Sequence, residues 1–166
     1  MSTGVLAGKR GLIMGVANDK SIAWGIAQSA AREGAELAFS YQGEVLEKRV
    51  RPLAEKVGAD MLTCDVTDDA SIDALFDTLE EKWGKLDFVV HAIGFSNKDE
   101  LKGEYLNTSR ENFALTMDIS VYSFTAVAQR AARMMNEGGS LVTLTYQGAV
   151  QVVPNYNAMG VATAAL

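Results

Sequence analysis

The sequence predicts an α/β chain built on a doubly wound parallel sheet, and three observations predict it. Five apolar runs, near residues 12, 36, 61, 86 and 141, alternate with stretches of helical periodicity. Glycine is frequent at 15 and proline scarce at 2, which suits strands and helices joined by tight turns. Lys9 to Gln42 reads as strand, turn, helix and strand, a connection long enough for parallel pairing.

Within that stretch Leu12-Ile13-Met14 is the first strand, and it breaks at Gly15. A polar turn covers 16–20. Ser21 stands at a helix N-cap position, its hydroxyl available to the unpaired N–H groups of the first turn. Ile22, Ile26 and Ala30 recur at helical spacing, and Gly34 closes the helix. Residues 36–40 form the second strand. Residues 44–57 form a helix with Val45, Val50, Leu53 and Val57 as its apolar stripe and Lys48, Arg49 and Arg51 on a solvated face. The run 61–66 is the third strand. Thr67 or Asp68 caps the next helix, whose Ile72, Leu75, Phe76, Leu79 and Trp83 hold one core face.

The fourth strand, 86–94, is nearly all apolar, as a doubly covered parallel strand is. A polar loop, 96–108, leads into one long helix over 110–135. Phe113, Met117, Val121, Phe124 and Ala128 form its apolar stripe. Ala114, Ser120, Ser123, Ala131 and Ala132 lie on its other side, small enough to admit a second subunit. Gly138-Gly139 ends it. Residues 141–146 are the fifth strand, 147–154 a loop, and Tyr156 opens a last helix that runs to Leu166.

Composition narrows the function. With 166 residues, 48% of them hydrophobic, the chain can bury the core of a single domain. A net charge of −6 argues against nucleic acid, whose phosphates would be repelled. Cys64 is the only cysteine, so no internal disulfide forms and a reducing, cytoplasmic compartment is expected. One histidine and one cysteine give no support to a metal site or to a Cys–His nucleophile pair. No basic-then-apolar leader precedes the first strand, and no run is long enough to span a bilayer.

Strands linked in this way take the order 3-2-1-4-5 of the Rossmann type, with the switch point between the first and fourth strands. Gly15, Ser21, Ile22, Asp65, Ile93 and Gly94 fall on the rim of that crevice. Gly15 permits the sharp turn, and Gly25 is expected to let the helix pack closely on the strand. The turn and the helix N-terminus together would bind a pyrophosphate. Ala92, Ile93 and Gly94 are small or smooth enough for a flat ring and a ribose to approach the backbone. Asp65, at a strand's carboxyl end, serves either the crevice or the cap of the following helix. His91 reads as a core residue. After the second strand the chain offers Ser40-Tyr41-Gln42, neither an acid for a ribose 2′-hydroxyl nor an arginine for a 2′-phosphate.

Three segments carry a resemblance over the entire chain: GVANDKSIAWGIA at 15–27, HAIGFS at 91–96, and the pair Tyr146 and Tyr156. Together they resemble the NADH-dependent enoyl-(acyl-carrier-protein) reductases, a divergent branch of the short-chain dehydrogenase/reductases that serves bacterial fatty-acid synthesis. The resemblance implies hydride transfer from NADH to the β-carbon of a trans-2-enoyl thioester on acyl-carrier protein. Tyr156 would donate to the enolate oxygen, with Tyr146 as pocket wall and second hydroxyl. It places Gln42, Asp65, Val66 and Ile119 with Gly15, Ser21, Ile22, Ala92, Ile93 and Gly94 around the cofactor. Phe95, Met159 and Val161 join the wall over the acyl chain. It also favours NADH, with NADPH as the second reading, and a homotetramer.

The chain departs from the family pattern twice. A lysine is expected seven positions after the tyrosine, to hold the nicotinamide ribose, and Thr163 stands there. The family also continues beyond the point where Leu166 falls, so a fragment lacking its C-terminal strands is expected, impaired in activity. Two other readings remain. An ordinary short-chain alcohol or ketone dehydrogenase would carry Tyr-x-x-x-Lys, but position 160 is Gly160. A non-catalytic nucleotide-binding or assembly module fits Thr163.

Overall fold

The computed structural model describes residues 4–135 and 138–166. The leader expectation rests partly on residues 1–3, which lie outside the described residues. Five strands form one sheet: β1 Arg10–Met14, β2 Glu36–Tyr41, β3 Asp60–Thr63, β4 Phe88–His91 and β5 Ser140–Thr143. Their order is β3-β2-β1-β4-β5, as the sequence predicts. The β1–β2, β1–β4 and β2–β3 pairs are parallel, with Ile13 opposite Phe39 on one side and Val90 on the other. The α-helices are α1 Ile22–Arg32, α2 Gly43–Val57, α3 Asp69–Trp83, α4 Arg110–Met117, α5 Ser123–Met134 and α6 Asn157–Ala165.

The chain falls into two compact units. One holds the residues up to Ala92 with Val127–Val142, and the other holds Ile93–Ala126 with Thr143–Leu166. The core of the first is Ile13, Leu37, Phe39, Val50, Leu53 and Val90 packed on Ala23, Trp24 and Ala27 of α1. Trp24 meets Phe39 edge-on at 6.5 Å. Full burial of a side chain such as Phe39 stabilises by about 2–3 kcal/mol. The face of α3 is as expected, with Ile72, Leu75, Phe76, Leu79 and Trp83 all buried.

Several strands are shorter than their apolar runs. β4 stops at His91, which pairs with Met14, because β1 ends there and Gly15 turns the chain away. β3 ends at Thr63 and β5 at Thr143, so apolarity outlasts pairing at these strand ends. The α1 stripe is also rotated from expectation. Ile22 is 68% exposed, and the buried positions are Ala23, Trp24, Ala27 and Ala30. The bulk of Trp24 decides which side faces the sheet. On α2, Val45 is exposed while Val50, Leu53 and Ala54 carry the packing.

The long helix differs most. Residues Asp118–Tyr122 form a π-helical turn between α4 and α5, and the buried side is polar as far as Ser123 and apolar beyond it, at Ala126, Val127, Ala131 and Met134. Asn112, Thr116, Ser120 and Ser123 are buried, whereas Phe113 is 37% exposed. Asn112, Thr116 and Ser120 find partners in the 95–97 segment, and the Ser123 hydroxyl donates to the Ile119 carbonyl of its own helix. Ser120, Ser123 and Ala131 are buried and so not available to a second subunit as expected, while Ala114 and Ala132 are exposed.

Candidate functional site

In the first unit the geometry starts at Gly15. Its φ is +97°, in the region that only glycine adopts easily, and a β-carbon there would lie 2.0 Å from the carbonyl oxygen of Ala92. The turn that follows is tied by Ser21. Its hydroxyl oxygen accepts the N–H of Ala17 and of Asn18, both at 3.0 Å. Asn18 in turn accepts the N–H of Lys20 at 2.8 Å. Ser21 occupies the N-cap position of α1 but makes no side-chain cap to the helix, contrary to expectation. Its lone pairs are spent on the turn. The N–H groups of Ile22 and Ala23 therefore keep no acceptor among the described residues, and they sit at the positive end of the helix dipole.

Gly25 differs from its expected role. It is exposed, and nothing lies within 4 Å of where its β-carbon would be, so it makes no close approach to a strand. At the end of α1 the expected glycine closure is present. Gly34 donates to Ala31 and Ala35 to Ala30, which satisfies the last carbonyls.

Asp65 and Gln42 come together at the carboxyl ends of β3 and β2. The Asp65 carboxylate accepts the N–H of Thr67 at 2.9 Å and its hydroxyl at 2.7 Å. The two Thr67 bonds hold the Asp65 carboxyl below the usual range, and a hydrogen bond from Gln42 adds to them. Asp65 thus shapes the turn, while Asp68 is the residue that caps α3 through the Ala70 N–H. Val66 is half-buried beside it, and Ala92 is half-buried behind Gly15. His91 is fully buried, and burial pushes its imidazole down to about 4.

The second unit gathers the other candidates. Tyr156 is the N-cap residue of α6, and its ring meets that of Tyr146 at 4.9 Å with 65° between the planes. Burial, then the neighbouring Tyr146, pushes the Tyr156 phenol up, so it stays protonated and able to donate at neutral pH. Ser120 grips Phe95 at both ends, accepting its N–H at 3.0 Å and donating to its carbonyl at 3.1 Å. Ser120 and the half-buried Ile119 belong to the π-helical turn, a distortion often found at functional sites. Met159 lies against Gly94, 3.4 Å from where a β-carbon would be. The exposed Gly94 follows the half-buried Ile93. Val161 lines a cavity of about 400 Å³ together with Tyr156, Tyr105, Val150 and Val153.

Thr163 is buried. Its hydroxyl donates to the carbonyls of Met159 at 2.9 Å and Gly160 at 3.1 Å, and its own carbonyl accepts from Thr145. The side chain is thus consumed within its helix.

Sequence reading missed the roles of four residues here. Asn155 adopts φ +60°, a left-handed bend that delivers Tyr156 to the helix start. Gly148 lies under the Tyr156 ring, where a β-carbon would stand 2.5 Å from Cδ1. Asn157 and Ser120 fasten loops by hydrogen bonds. The Asn-Tyr-Asn run after a proline was the one available signal.

Residues 15–166 match the family model described as Enoyl-(Acyl carrier protein) reductase. The chain is 68% identical over 166 residues to enoyl-(acyl-carrier-protein) reductase (NADH) 1 of Rhizobium meliloti (strain 1021), covering 99% of this chain and 61% of that protein. It superposes on the crystal structure of FabI from Candidatus Liberibacter asiaticus with a TM-score of 0.96 at 58% identity, over 98% of this chain and 64% of that one. The enoyl-(acyl-carrier-protein) reductase of Anaplasma phagocytophilum, solved in complex with NAD, gives 0.95 at 55% identity over 100% of this chain and 65% of its own.

Proposed function

Because the chain belongs to the enoyl-(acyl carrier protein) reductase family, we propose that it is a dinucleotide-binding domain that binds NADH and reduces a trans-2-enoyl thioester of acyl-carrier protein. The first unit suits the cofactor. Gly15 leaves room against Ala92 that a side chain would fill, and the N–H groups of Ile22 and Ala23 suit a diphosphate. Ser21 would hold that turn in shape, while Gln42, Asp65 and Val66 would meet the adenine end. In the second unit, Ile93, Gly94 and Ile119 are cofactor candidates on the family resemblance. When bound, NADH supplies the hydride for the β-carbon of the enoyl group.

The observation that carries the proposal is the tyrosine pair. Tyr156 presents a phenol protonated at neutral pH, 4.9 Å ring to ring from Tyr146. Its O–H donates a hydrogen bond to the enolate oxygen as charge develops there, which lowers the barrier. Tyr146 orders and shields that hydroxyl, and Phe95 and Met159 supply apolar wall to the acyl chain. The same family reading makes the protein a cytoplasmic homotetramer. Among the described residues no helix is long and apolar enough to cross a membrane.

Loss of NADH absorbance on adding an enoyl thioester of acyl-carrier protein tests the proposal. Tyr156→Phe should cut the rate by about 10²-fold while leaving calorimetric NADH binding unchanged. Equal rates in both proteins would overturn the assignment. One observation favours a second reading, a binding module with little turnover: the Thr163 hydroxyl is turned to the carbonyls of its own helix. NADH binding without turnover would select it.

A further inference from the structure

The segment from Lys98 to Asn107 follows β4 as two short 3-10 turns, Lys98–Leu101 and Tyr105–Asn107. Polar side chains fasten both its ends. Before it, the Asn112 carbonyl oxygen accepts the Asn97 N–H at 2.8 Å, while Asn112 and Thr116 both donate to Ser96. Beyond it, the Glu100 carboxylate reaches forward to Ser109, accepting its N–H at 2.8 Å and its hydroxyl at 2.9 Å. Those two bonds hold the Glu100 carboxyl below its usual range, so this clasp is charged at neutral pH.

The middle is held differently. The backbone bends so that three carbonyl oxygens converge on one side chain. The Asn157 amide nitrogen lies 3.0 Å from that of Glu100, 3.4 Å from Gly103 and 3.5 Å from Lys102. Carbonyls only accept, so the two amide hydrogens must face them, and the orientation of Asn157 is fixed. No carboxylate and no aliphatic group can replace such a double donor. Asn157 is the first residue of α6, directly after Tyr156, and Tyr105 lines the same cavity as Tyr156 and Asn157.

We propose that Asn157 is a positioning residue: its amide latches the 98–107 segment onto the helix start that carries Tyr156, so that loop and phenol are held in register. Its consequence for turnover rests on the reading of Tyr156 as the hydrogen-bond donor, whereas the latch itself does not. With the latch intact, Tyr105 and Tyr156 keep one cavity shape. Without it, the middle of the segment is free to lift while both ends stay fastened.

Hydrogen–deuterium exchange and a tyrosine ring resonance test this in the full chain. Asn157→Asp keeps the shape but sets a carboxylate against three carbonyls, and Asn157→Ala removes the donors alone. Exchange across 98–107 should rise about tenfold or more in both near neutral pH. In Asn157→Asp it should fall back near pH ~4, where the protonated acid regains one donor. Asn157→Ala should show no such recovery. The ring carbon resonance of Tyr156, assigned by its loss in Tyr156→Phe, should shift with the latch and return with acid. Unchanged exchange in both folded variants, or a Tyr156 signal indifferent to them, would overturn the proposal. Turnover separates the two readings. An inactive parent counts against the reductase reading and leaves the latch to be judged by exchange and the Tyr156 signal. An active parent whose variants keep both kcat and KM counts against the positioning role.

Discussion

The β-carbon that Gly15 lacks would stand 2.0 Å from the carbonyl oxygen of Ala92, inside any permitted contact. Strand β1 ends one residue earlier and Ala92 donates its N–H to Met14, so neither side can retreat without breaking the ladder. Gly15→Ala combines this clash with a φ of +97°. It should destabilise by about 1–3 kcal/mol in urea unfolding and weaken NADH binding at least ~10-fold in calorimetry. Gly25→Ala makes the opposite case. Its β-carbon meets open space in the middle of an exposed helical turn, so it should stabilise by about 0.5–1 kcal/mol. Equal effects from the two substitutions would show that neither the clash nor the backbone angle matters.

Gly148 makes a comparable approach to a ring. A methyl group there would lie 2.5 Å from Cδ1 of Tyr156 and 3.5 Å from Cδ1 of Tyr146. Gly148→Ala should therefore push the phenol from its place while sparing the turn at Gly15. The expected outcome is a fall in kcat of up to ~10²-fold with NADH affinity unchanged, since a displacement near 1 Å can cost that much. Wild-type kcat in this variant would mean that the ring position is not critical.

The sheet order was legible because each strand is an apolar run closed by its own helix, and the right-handed crossover rule leaves few arrangements. Gly15 was legible for the same reason, as the break at the end of such a run. Gly25 and the side of α1 were not. Ile22 and Ile26 keep helical spacing, but Trp24 and three alanines fill the core side, and periodicity alone cannot weigh volume against count. Over residues 110–120 the inward face is polar because Asn112, Thr116 and Ser120 answer backbone and hydroxyl groups of the 95–97 segment. Such pairings lie 15 to 25 residues apart, beyond any local pattern. Asn157 escaped notice likewise, as its partners are carbonyls, which leave no mark on sequence.

Cys64 should be nearly inert in the folded protein. Burial, then the adjacent Asp65 charge, pushes its thiol up to about 11, so roughly one molecule in 10³ is thiolate near pH 8. The residue is also only 4% exposed. A chromogenic disulfide reagent should react slowly with the native chain and at least ~10²-fold faster in urea. Equal rates in the two conditions would mean that the thiol is exposed.

His91 gives the stability a dependence on mild acid. Burial lowers its imidazole from 6.5 to about 4, so the unfolded chain binds the proton more readily than the folded one. Its contribution is full above about pH 6.5 and is lost progressively as pH falls toward about 4, below which both states are protonated. The loss is on the order of 3 kcal/mol. Asp65 and Glu100, whose carboxyls lie below their usual range, act only in stronger acid. Urea midpoints across this window should thus slope for the parent and flatten in His91→Leu, whatever its absolute stability. A slope that survives the substitution would move the effect to another group.

Thr163→Lys bears most directly on activity. The threonine hydroxyl is committed to the carbonyls of Met159 and Gly160, and it carries no charge. A lysine at this position can run its aliphatic stem along the helix and bring an ammonium group out beside Tyr156, seven residues back. On the proposed reductase reading it would add there a fixed positive charge beside the enolate and three donors for ribose hydroxyls. A preorganised group of this kind is worth about 10²–10³ in rate. The substitution should therefore raise NADH oxidation on an enoyl thioester by that order and tighten NADH binding in calorimetry. Tyr156→Phe in the same background should cancel the gain in rate but keep the gain in affinity, because the ribose contact does not need the phenol. Tighter binding with no change in rate would confine the role of position 163 to holding the cofactor. No change in either would detach this position from the site altogether.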